Sequence, residues 1–268
     1  VKHLSFPSIE QYRTVIKTVR DNCSYHNLPL PVLFFNGTVK LHGTNASVVY
    51  DVKDNLVYAQ SRSRVLSLVN DNAGFCQWFE SNKFLFQEWL KSIAKSEFRY
   101  ISVYGEWCGG NIQRGVGICQ LSKMFVVFAI RFTNLNDEGN PVSIWNMDDI
   151  VVPENDIGLY SINKFSNYQI KIDFNCPEEA QNQLINITEG VEAECPVAKY
   201  FGVSGIGEGV VWHTSFNNNT LLFKVKGERH VIGNKILGIH LSIEDEKQVL
   251  DYCIKNKIKE FTYTFSSD

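Results

Sequence analysis

No stretch of this chain is apolar for long enough to span a bilayer. Its longest runs, such as Met124–Ile130, fall far short of the ~20 residues a membrane-crossing helix needs. Val1-Lys2-His3-Leu4-Ser5 lacks the pattern of a signal peptide. Positive charge is not in excess: 26 Lys and Arg against 29 Asp and Glu give a net charge of -3 at pH 7. A polyanionic partner would therefore need a local basic groove, since the protein as a whole is not basic. There is no C-x-x-C pair. The seven cysteines, at 23, 76, 108, 119, 176, 195 and 253, are irregularly spaced, which argues against a zinc site or a disulfide framework and for free thiols in a reducing compartment. Neither a phosphate-binding G-x-x-x-x-G-K-[ST] loop nor a dinucleotide G-x-G-x-x-G turn occurs. No internal repeat is present.

With 44% hydrophobic residues the chain can bury a sizeable core. Apolar residues at helical spacing predict a helix over Ser8–Asn22, with Ser8 as N-cap, and others over Asn72–Ser96, broken near Ser81-Asn82, and Pro177–Glu194. A further amphipathic helix is expected over Ile243–Ile258. Strands are predicted over Val32–Phe35, Ala46–Asp51, Leu56–Ser61, Tyr100–Tyr104 and Met124–Phe132. Gly209–His213 and Leu221–Val225 read as a strand pair joined across Asn217–Asn219. Strands and helices do not alternate regularly, so an α+β fold with antiparallel sheets is expected. The aromatic run Phe75–Trp89 has helical spacing and reads as core.

Four places carry candidate chemistry. Lys40-Leu41-His42-Gly43-Thr44-Asn45 lies between strand-like segments, where a lysine can be turned into a pocket; its ordinary pKa of about 10.4 would have to be lowered for it to act as a nucleophile. A solvated lysine before a hairpin is the plain alternative. Tyr104-Gly105-Glu106-Trp107 ends a strand in a glycine-rich loop, and Gly207-Glu208-Gly209 starts one with a carboxylate. Lys224 and Lys226 stand two apart, hence on one strand face. Two like charges on an otherwise apolar strand call for an anion such as phosphate, or for an exposed edge that lysines protect. His213, His230 and Cys108 read as structural or solvent-facing.

Taken in order, these segments resemble the covalent nucleotidyltransferase superfamily of RNA ligases, DNA ligases and mRNA capping enzymes. Lys40-x-His42-Gly43-x-Asn45 resembles the nucleotidyl-lysine motif, in the form found in the RNA ligase 2 branch. Ser61-Arg62-Ser63-Arg64 is similar to the arginine motif, with Arg62 preferred over Arg64. Gly105-Glu106-Trp107, Phe125-Val126-Val127-Phe128, Glu208-Gly209 and Lys224-Val225-Lys226-Gly227 follow in family order. His42 stands where DNA ligases and capping enzymes usually carry aspartate, and this favours RNA ligase. Ala129 departs from relatives that have an acidic residue after the aromatic motif.

The resemblance implies an ATP-grasp-like ligase catalytic domain over 1–235 and a helical extension, or the start of a small helical domain, over 236–268. The residues after Lys226 leave little room for an OB-fold. It implies that Lys40 attacks ATP to form lysyl-AMP, that AMP passes to an RNA 5′-phosphate, and that an RNA 3′-hydroxyl then displaces AMP. Lys224 and Lys226 would neutralise phosphates, Lys226 also lowering the pKa of Lys40. Arg62 would bind a ribose or phosphate oxygen, Glu106 the ribose, and Phe128 the face of adenine. His42 and Asn45 would act near the phosphates. Val39 and Leu41 flank the nucleophile and would touch the nucleotide, Val39 through its backbone. Glu106 and Glu208 would hold Mg²⁺ (or Mn²⁺) through water. The expected partner is RNA with 5′-phosphate and 3′-hydroxyl ends, and the expected state is an intracellular monomer without membrane contact, in the cytoplasm or in a phage- or virus-infected cell. The chain by itself is expected to take up AMP readily and to seal ends weakly. A DNA ligase, a capping guanylyltransferase and a non-catalytic RNA-end-binding module are the alternatives.

Overall fold

Strands form where β-branched and aromatic residues alternate with polar ones or fill both faces of a buried run. In chain order the elements are α1 (Tyr12–Tyr25), β1 (Val32–Lys40), β2 (Thr44–Asp51), β3 (Leu56–Ser61), α2 (Phe75–Ser81), α3 (Lys83–Ile93), β4 (Tyr100–Cys108) and β5 (Met124–Leu135). Then follow β6 (Pro141–Asn146), β7 (Leu159–Ser161), β8 (Asn167–Asp173), α4 (Gln181–Ala193), α5 (Pro196–Tyr200), β9 (Gly209–Phe216) and β10 (Asn219–Lys226). The computed structural model describes residues 1–230, of which Val1–Gly227 form one compact unit. The expected domain boundary at 235, the extension over 236–268 and the helix over Ile243–Ile258 lie outside the described residues.

Two sheets result. Sheet A has the order β10-β9-β1-β8 and is antiparallel throughout; sheet B runs β3-β2-β4-β5-β6, with β7 pairing parallel to β5. The α+β expectation is met, with that one parallel pairing as an addition. Sheet A packs Phe35, Val39, Val210, Trp212, Leu221 and Phe223 into a core shared with α1 and α4; sheet B packs Val48, Val103, Phe125 and Val127 on α2 and α3. Phe75, Phe79, Phe86 and Trp89 are buried there, as helical spacing suggested.

The first helix starts later than its sequence pattern suggests. Gln11, not Ser8, is its N-cap, without a side-chain capping bond. The cause is tertiary: Glu10 lies alongside β10, its N–H donating to the Leu222 carbonyl (3.2 Å) and its carbonyl accepting from the Lys224 N–H (3.0 Å). A residue committed to a strand edge cannot also open a helix. The helical break near Ser81-Asn82 does occur, with Asn82 Nδ2 closing onto the Trp78 carbonyl at 2.7 Å. The β9–β10 hairpin turns on Asn217 and Asn218, both at positive φ (47° and 60°), the geometry a tight two-residue turn demands and asparagine tolerates. The strands β6 and β8 and the short helix α5 had no sequence-based expectation. In β8, buried Ile170 and Ile172 alternate with exposed Gln169 and Lys171.

Among the described residues no helix is long and apolar enough to cross a membrane. Cys23, Cys76, Cys108, Cys119, Cys176 and Cys195 are all free thiols.

Candidate active site

β1 ends at Lys40 in sheet A and β2 begins at Thr44 in sheet B, so the short segment between them crosses from one sheet to the other. Gly43 permits the crossing. A Cβ there would collide with the Trp107 carbonyl oxygen, and the bare backbone instead donates its N–H to Glu106 Oε1 at 2.9 Å. Lys40 and Lys226 are both in register with Gly209, one on each side of β9. Gly209 takes φ 155°, and a Cβ would strike the Val225 carbonyl oxygen, so the two flanking strands close in at this point.

The preceding residue, Glu208, is the hub. Its side chain is 2% exposed, and its Oε1 lies 2.9 Å from both Lys40 Nζ and Lys226 Nζ. His42 Nδ1 donates to the other oxygen at 3.3 Å. Burying a carboxylate costs several kcal/mol. Each lysine at that distance returns roughly 5 kcal/mol at an effective dielectric constant of about 20, so the ionised form wins. Burial pushes the Glu208 carboxyl up, but His42, Lys40 and Lys226 together bring it down to about 2.

Lys224 lies on the same face of β10 as Lys226. Its pKa is lowered, first by burial and then by the charges of Lys226, Lys40 and Arg62. Arg62, itself exposed, is thus near enough for its charge to be felt at Lys224. Arg64 instead donates to the Asp71 carbonyl (3.1 Å). Lys40 and Lys226 thus bind Glu208 directly, with the charges of Lys224 and Arg62 close by. This is the local basic site that the overall charge of -3 conceals.

Phe128 owes its direction to a β-bulge. Tyr104 pairs with Ala129 and Gly105 with Val127, so Phe128 is the extra residue. Phe128 and Ala129 consequently share one face, while Phe125, Val127 and Ile130 pack on the other. The ring is half-buried, edge-on to Phe6, at the margin of the cluster that holds Phe6 and Tyr104. Ala129 is fully buried in that apolar cluster, a place that suits no carboxylate. Asn45 is in register with Glu106 and half-buried. Val39 and Leu41 are not brought in through their side chains, which are buried in the core of sheet A; strand alternation sends them away from Lys40.

His213 is buried and bonded through Nε2 to Asp148 Oδ1 at 2.9 Å. Cys108 is buried, which pushes its thiol well up, away from thiolate chemistry. An open cavity of about 540 Å³, lined by Lys2, Arg131, Trp145 and Leu222 among others, includes neither Lys40 nor Glu208.

A model of the family described as RNA ligase matches residues 34–226. The chain belongs to the RNA ligase family. Every site residue from Val39 to Lys226 falls inside the matched span. No curated protein matches. A Naegleria gruberi RNA ligase with PPi is similar in fold, at 18% identity and a TM-score of 0.50 over 85% of this chain and 57% of that one. A mutant of the same ligase with AMP and Mn gives 17%, 0.51, 86% and 58%. An archaeal ATP-dependent RNA ligase gives 14%, 0.46, 84% and 49%. The chain therefore spans a little under three-fifths of the Naegleria ligase.

Within this family member, Glu106 is the second unusual acid. Burial pushes its carboxyl up to about 7, with Glu208 adding to the effect and Lys40 and the Gly43 N–H opposing it. The folded protein then holds a proton that the unfolded chain releases near 4.5. The Glu106 contribution to stability is thus most favourable below about 4.5 and declines as pH rises through about 7. Glu106→Gln is expected to remove roughly 2 kcal/mol of that decline. Urea unfolding of both proteins at pH 5 and pH 8 measures it; equal slopes would refute the shift.

Proposed function

We propose that this RNA ligase family member is an ATP-dependent RNA ligase that works through lysyl-AMP on Lys40. One observation carries the reading: a single buried carboxylate, Glu208, gathers Lys40 and Lys226 from separate strands beside Glu106 and Lys224. Like charges held this close are relieved by a polyphosphate, and the amine among them is placed to attack one. In the proposed step the Lys40 Nζ lone pair forms a bond to the α-phosphorus of ATP. The bond to the pyrophosphate oxygen breaks, pyrophosphate leaves, and the amine loses its proton. Such transfers depend on positioning and charge neutralisation. Lys224, Lys226 and Arg62 supply the charge. Glu106 accepts from the ribose, and Phe128 offers a ring face to adenine. The β1 edge that pairs with β8 stops at Thr38, which leaves the backbone at Val39 and Leu41 without a strand partner on that side and suits it to reading the base. His42 and Asn45 act in the later RNA steps, in which AMP moves to a 5′-phosphate and a 3′-hydroxyl displaces it.

Glu106 and Glu208 are hard oxygen donors close enough to perturb each other. They fit a hydrated Mg²⁺ or Mn²⁺ held through water and substrate phosphates. Among the described residues no group of three or more His, Cys, Asp or Glu forms an all-protein cage. When bound, the ion would offset phosphate charge.

Intact mass after exposure to ATP, GTP or NAD with a divalent ion tests the reading. A gain of one AMP from ATP alone is expected, followed by only slow joining of 5′-phosphorylated RNA. GMP uptake would indicate a capping enzyme, AMP from NAD a different ligase class, and no adduct with retained RNA binding a non-catalytic module.

A further inference from the structure

The segment ahead of α1 is bonded to both sheets at the points where the proposed site draws on each. On sheet B, Gln60 receives the Leu4 N–H (3.1 Å) and donates to the Leu4 carbonyl, which also accepts from the Tyr104 hydroxyl (2.7 Å). The Tyr58 hydroxyl holds the Lys2 carbonyl at 2.6 Å. His3 Nε2 donates to the Ser61 carbonyl at 3.0 Å, one residue before Arg62. On sheet A, Glu10 takes the outer edge of β10 and accepts the Lys224 N–H. Between these anchors Phe6 is buried edge-on against Phe128, their centroids 5.0 Å apart at 75°, with Tyr104 and Trp145 on its other sides. All of these strap residues precede residue 34, where the family match begins.

We infer that residues 3–10 are a positioning strap for the nucleotide site, with Phe6 as the residue that sets the Phe128 ring; this rests on the nucleotide reading above. The physical reason is the bulge. An unpaired bulge residue is directed by its backing more than by its ladder, and Phe6 supplies that backing with edge-to-face contact. Without it, the Phe128 ring falls into the vacated space and its free face is lost to a base. Lys40 and Lys226 are held by Glu208, whereas Phe6 is packed among aromatic rings, so the chemical step is left intact. Phe6 is a positioning residue: its loss weakens nucleotide capture and spares the rate at saturation.

The test is the rate of AMP uptake by the full chain against ATP concentration. Phe6→Ala is expected to raise half-saturating ATP about tenfold and to change the saturated rate less than about threefold. Phe6→Leu, which refills part of the volume, is expected to bring half-saturation back to within about threefold of wild type, and it carries the comparison if the alanine variant does not fold. Phe79→Leu, buried in the separate core of sheet B, is the control and is expected to lower the unfolding midpoint without moving half-saturation. Unchanged half-saturation in both Phe6 variants, or an equal rise in Phe79→Leu, overturns the strap. A wild type that takes up no AMP overturns the nucleotide reading itself and the strap with it.

Discussion

Lys40→Ala is expected to abolish AMP uptake, with a loss of more than roughly a thousandfold in rate, since no neighbouring amine can take its place on the same trajectory. Lys226 is the nearest rival, bonded to the same Glu208 oxygen, but it enters from the opposite side of β9, across Gly209. Lys224 stands two residues before Lys226 and is half-buried. The variant should still fold and still bind ATP, because Lys226, Lys224 and Arg62 remain to meet the phosphates. Intact mass reads the adduct, and a filter or fluorescence assay reads the bound nucleotide. An adduct that persists in Lys40→Ala would move the nucleophile elsewhere and end the mechanism proposed for this chain.

Glu208→Gln is expected to have the second-largest effect, on activity and stability together. Removing one partner from a buried ionic cluster typically costs about 3–5 kcal/mol. Here the lysines keep partial contact with water, with side chains 20% and 33% exposed, so about 2–3 kcal/mol is expected at pH 7. AMP uptake should fall at least a hundredfold, because Lys40 and Lys226 lose the group that holds them side by side. The pH dependence has a definite sign. A carboxyl held at about 2 against an ordinary 4.5 binds fewer protons folded than unfolded. Its stabilisation is complete above about 4.5 and is lost as pH falls through about 2, so the gap between wild type and variant should close with acid. Denaturant unfolding at pH 7, 4 and 3 measures this, and a gap that stays constant would refute the assigned charge.

Much of the molecule was legible in the chain. The interior strands announced themselves because residues such as Val48, Val103 and Val127 form apolar runs that suit a buried sheet. The hairpin at Asn217-Asn218 and the break at Asn82 followed from local backbone preference. Lys40, Glu106, Glu208, Lys224 and Lys226 stood out through their place at strand ends and their order along the chain. The strand β8 was overlooked although its Ile170–Ile172 alternation was present, since a seven-residue strand with polar neighbours gives a weak periodic signal. Ser8 has the chemistry of a cap, but a residue caps a helix only while its backbone is free, and this segment's backbone is drawn to β10.

The sequence by itself determined the more apolar strands, the antiparallel class and the set of charged groups with chemical potential, all of which depend on neighbours within a few positions. Only the tertiary structure decided that Glu208 binds Lys40, His42 and Lys226 at once, that the bulge at Gly105 puts Phe128 on the face of Ala129, that the charge of Arg62 reaches Lys224, and that Phe6 backs the Phe128 ring. Those outcomes depend on register between strands far apart in the chain. A shift of one residue in register sends every side chain to the opposite face, and no local pattern records that choice.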